Sequence, residues 1–239
     1  MVDYQYKNFY TVQDLVEIVR ILRGPGGCPW DQVQTHESIR RDLLEEAYEV
    51  VEAIDQRDPA NLKEELGDVL LQVAFHTVLE DEQGGMTLDE VADGVCKKLI
   101  YRHPHVFGQT KVSGTEEVLS NWEKLKQVEK DQKSATDTLE SVARALPALW
   151  RAEKVQKKAQ KAGYSWPDSG ELTEELARCV EQLRGGEMEQ GLGGLLFAAV
   201  NLARQQQLDP EVTLNTATDR FINRFRQWEA EGLDRKSVV

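Results

Sequence analysis

The spacing of apolar residues predicts helices along most of the chain. In four segments of the first half, apolar residues recur every three or four positions, a period that fits one face of an α-helix. These segments lie near residues 11–23, 38–54, 59–82 and 87–102. No segment alternates apolar and polar residues as a half-buried strand would. We therefore predict an all-α fold.

Residues that favour helix starts and breaks support this assignment. Thr11 precedes the first apolar segment, and TLDE at 87–90 has the capping-box pattern. SNWE at 120–123 has the same pattern and predicts another helix start. DQRDPAN at 55–61 interrupts the periodicity, which indicates a short turn between two antiparallel helices.

The second half of the chain resembles the first. Helices are predicted there near residues 138–162, 170–184, 188–207 and 210–230. QGLGGLLFAAVNLARQQ at 190–206 aligns with EELGDVLLQVAFHTVLE at 64–80, which indicates a duplicated helical unit. The polar stretch around 131–137 lacks periodicity. We therefore predict tandem domains at 1–132 and 138–239, joined by a linker at 133–137.

Composition points away from several classes of protein. The formal net charge of −13 would repel phosphates, so a nucleic acid polymer is not an expected partner. Three widely separated cysteines show no zinc-binding spacing. No apolar run reaches the roughly 18 residues that a membrane span needs, and the N-terminus lacks a secretion signal. The expectation is a soluble, cytoplasmic protein.

Acidic residues accumulate in the stretch from 43 to 70, which carries nine carboxylates. Glu46 and Glu49 are three residues apart and so share a helix face, and Glu65 and Asp68 repeat this spacing on the next helix. The apolar stripe of each helix lies roughly 90–160° away from its acidic pair. Taken alone, this angle favours a solvated polar surface.

Three features favour a metal site instead. The acidic pairs occur on helices predicted to be neighbours, and they lack the basic i+4 partners that a solvated face usually has. After Asp68 the second helix is apolar on nearly every side, so its acidic end borders a packed interior. Converging carboxylates there need a cation. Oxygen ligands without His or Cys suit Mg²⁺, or Mn²⁺ as the alternative.

A magnesium site of this kind often handles a phosphate substrate, which also needs cationic side chains. Lys98 and Arg102 are four residues apart and share a helix face. A basic helix end that is favoured by the helix dipole is the structural alternative.

The motifs on these segments resemble those of the MazG family of nucleoside triphosphate pyrophosphohydrolases. The resemblance rests on GGCPWDQVQTHESIRRDLLEEAYEVVEAI at 26–54, LKEELGDVLLQVAFH at 62–76 and KLIYRHPHVFG at 98–108. It implies an all-α homodimer with sites in four-helix bundles. It further implies Mg²⁺-dependent cleavage of a nucleoside triphosphate to the monophosphate and pyrophosphate.

The resemblance also implies roles for particular residues. The expected metal ligands are Glu46, Glu49, Glu65 and Asp68. The expected nucleotide-binding residues are Lys98, Arg102 and Trp122, with Trp30 a further candidate for stacking on the base. Glu45 and Glu64 adjoin the ligands, and we assign them to orienting or deprotonating the attacking water.

The second half departs from the family pattern at the ligand positions. Alignment of the halves places Cys179, Gln182, Gly191 and Gly194 opposite the four predicted ligands. Arg220 and Arg224 still match Lys98 and Arg102. We therefore expect catalysis in the first domain and no metal in the second.

Two other functions stay open. A narrow-substrate enzyme resembling the dimeric dUTP or phosphoribosyl-ATP pyrophosphatases would keep the fold, although CPWD at 28–31 and RHPHVFG at 102–108 favour MazG. A nucleotide-sensing or protein-interaction module with weak hydrolysis belongs to a different class. Clearance of noncanonical or excess nucleotides is the physiological role expected if the protein is a pyrophosphohydrolase of the MazG type.

Overall fold

The computed structural model describes residue 2 and residues 4–236, with side chains through residue 231. Its regular secondary structure is helical, without a strand in the described residues, and confirms the predicted all-α fold. The helices of the first half are α1 (Val12–Arg23), α2 (Pro29–Gln32), α3 (Arg40–Gln56), α4 (Pro59–Asp81), α5 (Leu88–Arg102) and α6 (Pro104–Phe107). Those of the second half are α7 (Thr115–Glu129), α8 (Ala135–Glu140), α9 (Ala148–Lys161), α10 (Ser169–Arg184), α11 (Met188–Gln205) and α12 (Pro210–Lys236).

The chain forms two compact units, the first ending at Val118 and the second beginning at Leu119. This boundary lies inside α7, upstream of the predicted linker at 133–137. The predicted domain limits stay a prediction, and residues 1, 3 and 237–239 of those domains lie outside the described residues. Among the helices described, none is long and apolar enough to cross a membrane.

One local prediction near this boundary is wrong, the helix start at SNWE. SNWE at 120–123 lies inside α7, because the helix already starts at Thr115, where Ser113 bonds to the Glu117 carboxylate through its N–H and its hydroxyl. The predicted linker contains the start of α8, because Ser134 and Asp137 cap each other reciprocally. Residues 141–147 separate α8 from α9, and Pro147 is the N-cap of α9.

The core of the first unit joins α1 to the C-terminal half of α4. The capping boxes expected at Thr11 and Thr87 are both present and fix the starts of α1 and α5. The buried residues of this core are Val16, Val19, Ile39, Ala74, Phe75, Val78 and Leu79. This packing anchors α4 at its C-terminal half and positions its N-terminal half beside α3.

Arg23 connects α1 to the segment around α2 and to the C-terminal end of α4. Its side chain is only 7% exposed, and it donates to both carboxylate oxygens of Glu82, at 2.8 and 2.7 Å. It also donates to the carbonyl oxygens of Asp31 and Gln34, and its guanidinium lies 5.3 Å from the Phe75 ring centre. No Lys side chain can reproduce this fork of donors.

Arg23→Ala should therefore lower the free energy of unfolding by about 2–3 kcal/mol, since several bonds of a buried guanidinium disappear together. Arg20→Ala is the matched control. It removes a pair between the same two helices, Arg20 to Asp81 at 2.8 Å, from a side chain that is 44% exposed. That change should cost about 0–1 kcal/mol. Urea unfolding of the two variants measures the difference, and equal losses would contradict it.

The second unit repeats the order of a helix, a helical hairpin and a final helix. Helices α10 and α11 form the hairpin, and α9 packs on α11. Leu172 and Val200 are buried, and the buried Gln156 donates to the carbonyl oxygen of Phe197 at 2.9 Å. The order α9–α12 parallels α1 and α3–α5 of the first unit, and the duplication itself stays a prediction.

Candidate active site

The acidic pairs meet because α3 and α4 form a tight hairpin. Arg57 ends α3 in the left-handed region, with φ 57°. Asp58 then caps α4 by accepting from the N–H groups of Ala60 and Asn61, and Pro59 takes the first helical position. The two helices therefore run antiparallel, as the sequence predicted, and place Glu46 and Glu49 opposite Glu65.

Three predicted ligands converge across this hairpin. One carboxylate oxygen from each of Glu46, Glu49 and Glu65 lies within 4.8 Å of the others. Glu46 and Glu65 are half-buried. Asp68 is outside this spacing, yet it is close enough for its charge to raise the pKa of both Glu46 and Glu65. The four side chains thus share one electrostatic environment.

The clustering disfavours the ionised carboxylates. Desolvation is the largest cause that raises the pKa of Glu46, followed by its hydrogen bond with Glu49 and the charges of Asp68, Glu49 and Glu65. Desolvation also leads for Glu65, whose pKa is raised further by the charges of Glu49, Asp68 and Glu64. All the leading causes at both carboxylates raise the pKa.

The donor set fits a hard divalent cation. All three clustered side chains offer oxygen, and neither His nor Cys belongs to the group. Mg²⁺ and Mn²⁺ prefer such ligands, whereas zinc sites usually include nitrogen or sulfur. A bound cation would also remove the mutual repulsion of the carboxylates. Among the described residues, this is the cluster of three or more potential ligands with the required spacing.

The other predicted site residues are more dispersed. Glu45 and Glu64 are exposed beside the cluster, and the charge of Glu64 helps to raise the pKa of Glu65. Lys98 is half-buried on α5. Arg102, one turn further, is only 6% exposed, a degree of burial that is not predicted for a substrate-binding cation from the sequence.

The two predicted tryptophans belong to different units. Trp30 is 59% exposed on the short helix α2 of the first unit. Trp122 is half-buried on α7, in the second unit. A role for either in stacking on a base stays a prediction.

A contact between His76 on α4 and His36 in the turn before α3 escaped the sequence analysis. His36 stacks on His76 with ring centres 5.1 Å apart and their Nδ1 atoms 2.8 Å apart. Nε2 of His36 lies 2.9 Å from a Glu80 carboxylate oxygen. Burial, and then the charge of His36, lowers the pKa of His76. The sequence shows that His76 and Glu80 are four residues apart on one helix face. It does not show that His36, forty positions upstream of His76, lies beside them.

In the corresponding hairpin of the second unit, the two glycines at predicted ligand positions lie close to Cys179. A Cβ atom on Gly194 would lie 2.9 Å from Sγ of Cys179, and one on Gly191 would lie 3.0 Å from the Cys179 carbonyl oxygen. Cys179 is itself buried. Nearby, a cavity of about 820 Å³ borders Cys179, Gln182 and Gly194. The glycines at the predicted ligand positions thus allow α10 and α11 to pack closely against each other.

Gly194→Asp should therefore lower the stability of the second unit by about 2 kcal/mol or more, because the new side chain meets Cys179 and also carries a charge. Cys179→Ala in the same chain should recover part of that loss, since it removes the contacting sulfur. Thermal unfolding of both single variants and the double variant measures this coupling. Strictly additive losses would show that the contact does not cause the instability.

Comparison with known proteins locates the family signal in the first unit. Residues 34–107 match the model of the MazG nucleotide pyrophosphohydrolase domain. The nucleoside triphosphate pyrophosphohydrolase/pyrophosphatase MazG of Thermotoga maritima is 40% identical over 221 residues, 91% of this chain and 85% of the relative. The chain belongs to the MazG family.

Two further relatives extend the comparison. The nucleoside triphosphate pyrophosphohydrolase of Escherichia coli K12 is 36% identical over 241 aligned positions, which cover 95% of this chain and 92% of the relative. The protein of the same name from Mycobacterium tuberculosis is 43% identical over 152 residues, 63% of this chain and 45% of the relative. The MazG domain match includes all of α3, α4 and α5, and hence the whole carboxylate cluster.

Proposed function

We propose that this MazG family member is a Mg²⁺-dependent nucleoside triphosphate pyrophosphohydrolase with its catalytic site in the first unit. The reaction converts a nucleoside triphosphate and water into the monophosphate and pyrophosphate. The observation that carries the proposal is the three-carboxylate cluster of Glu46, Glu49 and Glu65, inside the segment that matches the family domain. The names of the Thermotoga maritima and Escherichia coli relatives support the same activity for this chain.

In this proposal the residues of the first unit have distinct roles in the reaction. Glu46, Glu49, Glu65 and Asp68 would hold Mg²⁺, or Mn²⁺ in its place. The bound cation would lower the pKa of water and offset phosphate charge. Glu45 and Glu64 would orient the attacking water or accept its proton. Lys98 and Arg102 would hold the phosphates and offset the charge of departing pyrophosphate.

A homodimer is part of this proposal. The α3–α4 hairpin exposes large apolar side chains along the stretch that carries the acids, and exposed surfaces of this kind often mark interfaces. Each of these residues is about half exposed: Leu44, Tyr48, Val51, Ile54 and Leu66. A second copy covering this hairpin would complete a four-helix site. Sedimentation equilibrium tests the stoichiometry, and a monomer that is fully active would contradict the dimeric site.

Release of pyrophosphate from a panel of canonical and altered nucleoside triphosphates tests the activity. The panel is run with Mg²⁺, with Mn²⁺ and with a chelator. Turnover that requires a divalent cation supports the proposal, and preference for altered bases would support clearance of noncanonical nucleotides in the cytoplasm. Strong selectivity for one triphosphate would favour the narrow-substrate enzyme. No release from any triphosphate by the folded protein would favour the sensing or interaction module.

A further inference from the structure

A cavity of about 520 Å³ lies in the second unit, between α7, α8 and α9. Five lysines line it: Lys124, Lys126, Lys133, Lys158 and Lys161. Glu123 is the acidic residue on its wall. On a chain with a formal net charge of −13, a cavity lined by five cations and one anion is a marked local reversal of charge. Its volume is in the range of small-molecule sites.

Some of these lysines already have acidic partners. Nζ of Lys161 lies 2.5 Å from a carboxylate oxygen of Glu123, and Nζ of Lys133 lies 3.1 Å from Asp131, which is outside the cavity wall. These pairs are exposed, so they remain available to reorganise around a ligand. The wall keeps a positive excess even when both pairs are formed.

Lys158 is the residue of the cavity wall that most strongly indicates an anionic ligand. It is half-buried, and its ammonium group makes no hydrogen bond or ion pair within the described part of the chain. Burial lowers the pKa of Lys158, and Lys161, Lys130 and Lys154 act in the same direction, whereas Glu123 opposes them. A half-buried cation without a partner is costly unless an anion approaches it.

The remaining wall indicates what kind of anion fits. Hydroxyl groups of Ser120 and Ser134 add neutral donors to the lysines. Several cations together with hydroxyl donors match the many acceptor oxygens and high charge of linked phosphates better than a single carboxylate. Trp122 also lines the cavity and offers an aromatic surface beside them.

We propose that this lysine cavity is a second anion site, which binds a diphosphate group on free pyrophosphate or on a nucleoside polyphosphate. It lies in the second unit, whereas the carboxylate cluster lies in the first. The two sites differ in their need for metal. The cavity supplies its own positive charge, but the carboxylate cluster repels phosphates until a cation is bound.

Titration calorimetry of the full-length protein with pyrophosphate, in buffer containing EDTA, tests this proposal. The native protein should show saturable binding of one pyrophosphate per chain. Lys158→Gln should weaken it by about tenfold or more, the loss expected for one charge-assisted hydrogen bond. Lys158→Arg, which keeps the charge, should bind within a few-fold of the native protein. Glu65→Gln should bind as the native protein does, whatever its hydrolytic activity with Mg²⁺.

Lys154→Gln is the matched control, because Lys154 lies one turn earlier on α9, is exposed and is outside the cavity wall. It should change the affinity by less than about twofold. An equal loss in both Gln variants would overturn the proposal in favour of diffuse attraction, and so would the absence of saturable binding. Titration with ADP identifies the source: equal affinity indicates recognition of the diphosphate alone, and tighter binding indicates that the nucleoside adds contacts.

Discussion

Glu65→Gln should lower Mg²⁺-dependent pyrophosphate release by about a thousandfold in kcat/KM, the effect expected when charge stabilisation at a reacting phosphate is lost. Glu65 is the member of the three-carboxylate cluster contributed by α4. Gln keeps the shape of the side chain but removes the negative charge that binds a cation. The measurement is initial rate against triphosphate concentration at saturating Mg²⁺.

Glu52→Gln provides the matched control for this loss. Glu52 lies on α3 one turn beyond Glu49, is exposed, and accepts a hydrogen bond from Gln56 at 2.9 Å. The substitution removes the same charge from the same hairpin without touching the cluster, so kcat/KM should stay within about threefold of the native value. A Glu65→Gln enzyme with near-native turnover would remove this cluster from the catalytic site.

Magnesium should stabilise the native protein strongly and the Glu65→Gln variant much less. A ligand that binds only the folded state adds about 2.7 kcal/mol at a hundred times its Kd. Thermal unfolding of both proteins across a Mg²⁺ series measures the gain. Equal gains in the two proteins would show that Mg²⁺ acts elsewhere on this acidic chain.

Without metal at neutral pH, thermal unfolding should show that the Glu65→Gln variant is more stable than the native protein. The pKa of Glu65 in the folded protein is raised above the ordinary value of 4.5, so its ionised form opposes folding. As pH falls through the raised pKa, the folded state takes up the proton before the unfolded state does, and this penalty disappears below pH 4.5. The stability advantage of Glu65→Gln should therefore be greatest at neutral pH and shrink as pH falls towards 4.5. A constant advantage at every pH would contradict this origin.

The sequence determined the local features of the site. The period of the apolar residues predicted helices, and the i, i+3 spacing placed each acidic pair on one face, because both follow from helix geometry alone. The DQRDPAN break predicted the hairpin that brings Glu49 and Glu65 together. Alignment of the two halves of the sequence also predicted that Cys179 and Gly194 replace ligands in the second unit.

Only the tertiary structure decided which side chains are covered and which side chains meet. The periodicity included Ile54 and Leu66 in apolar stripes, yet they are 55% and 52% exposed, because a pattern identifies an apolar face without naming what covers it. Arg102 is buried although it is a charged residue, and His36 contacts His76 forty positions away in the sequence. The lysine cavity likewise assembles from three helices whose separate basic residues are ordinary surface positions in the sequence. Helix content is a local property of the chain, whereas a cavity and its charge are properties of packing.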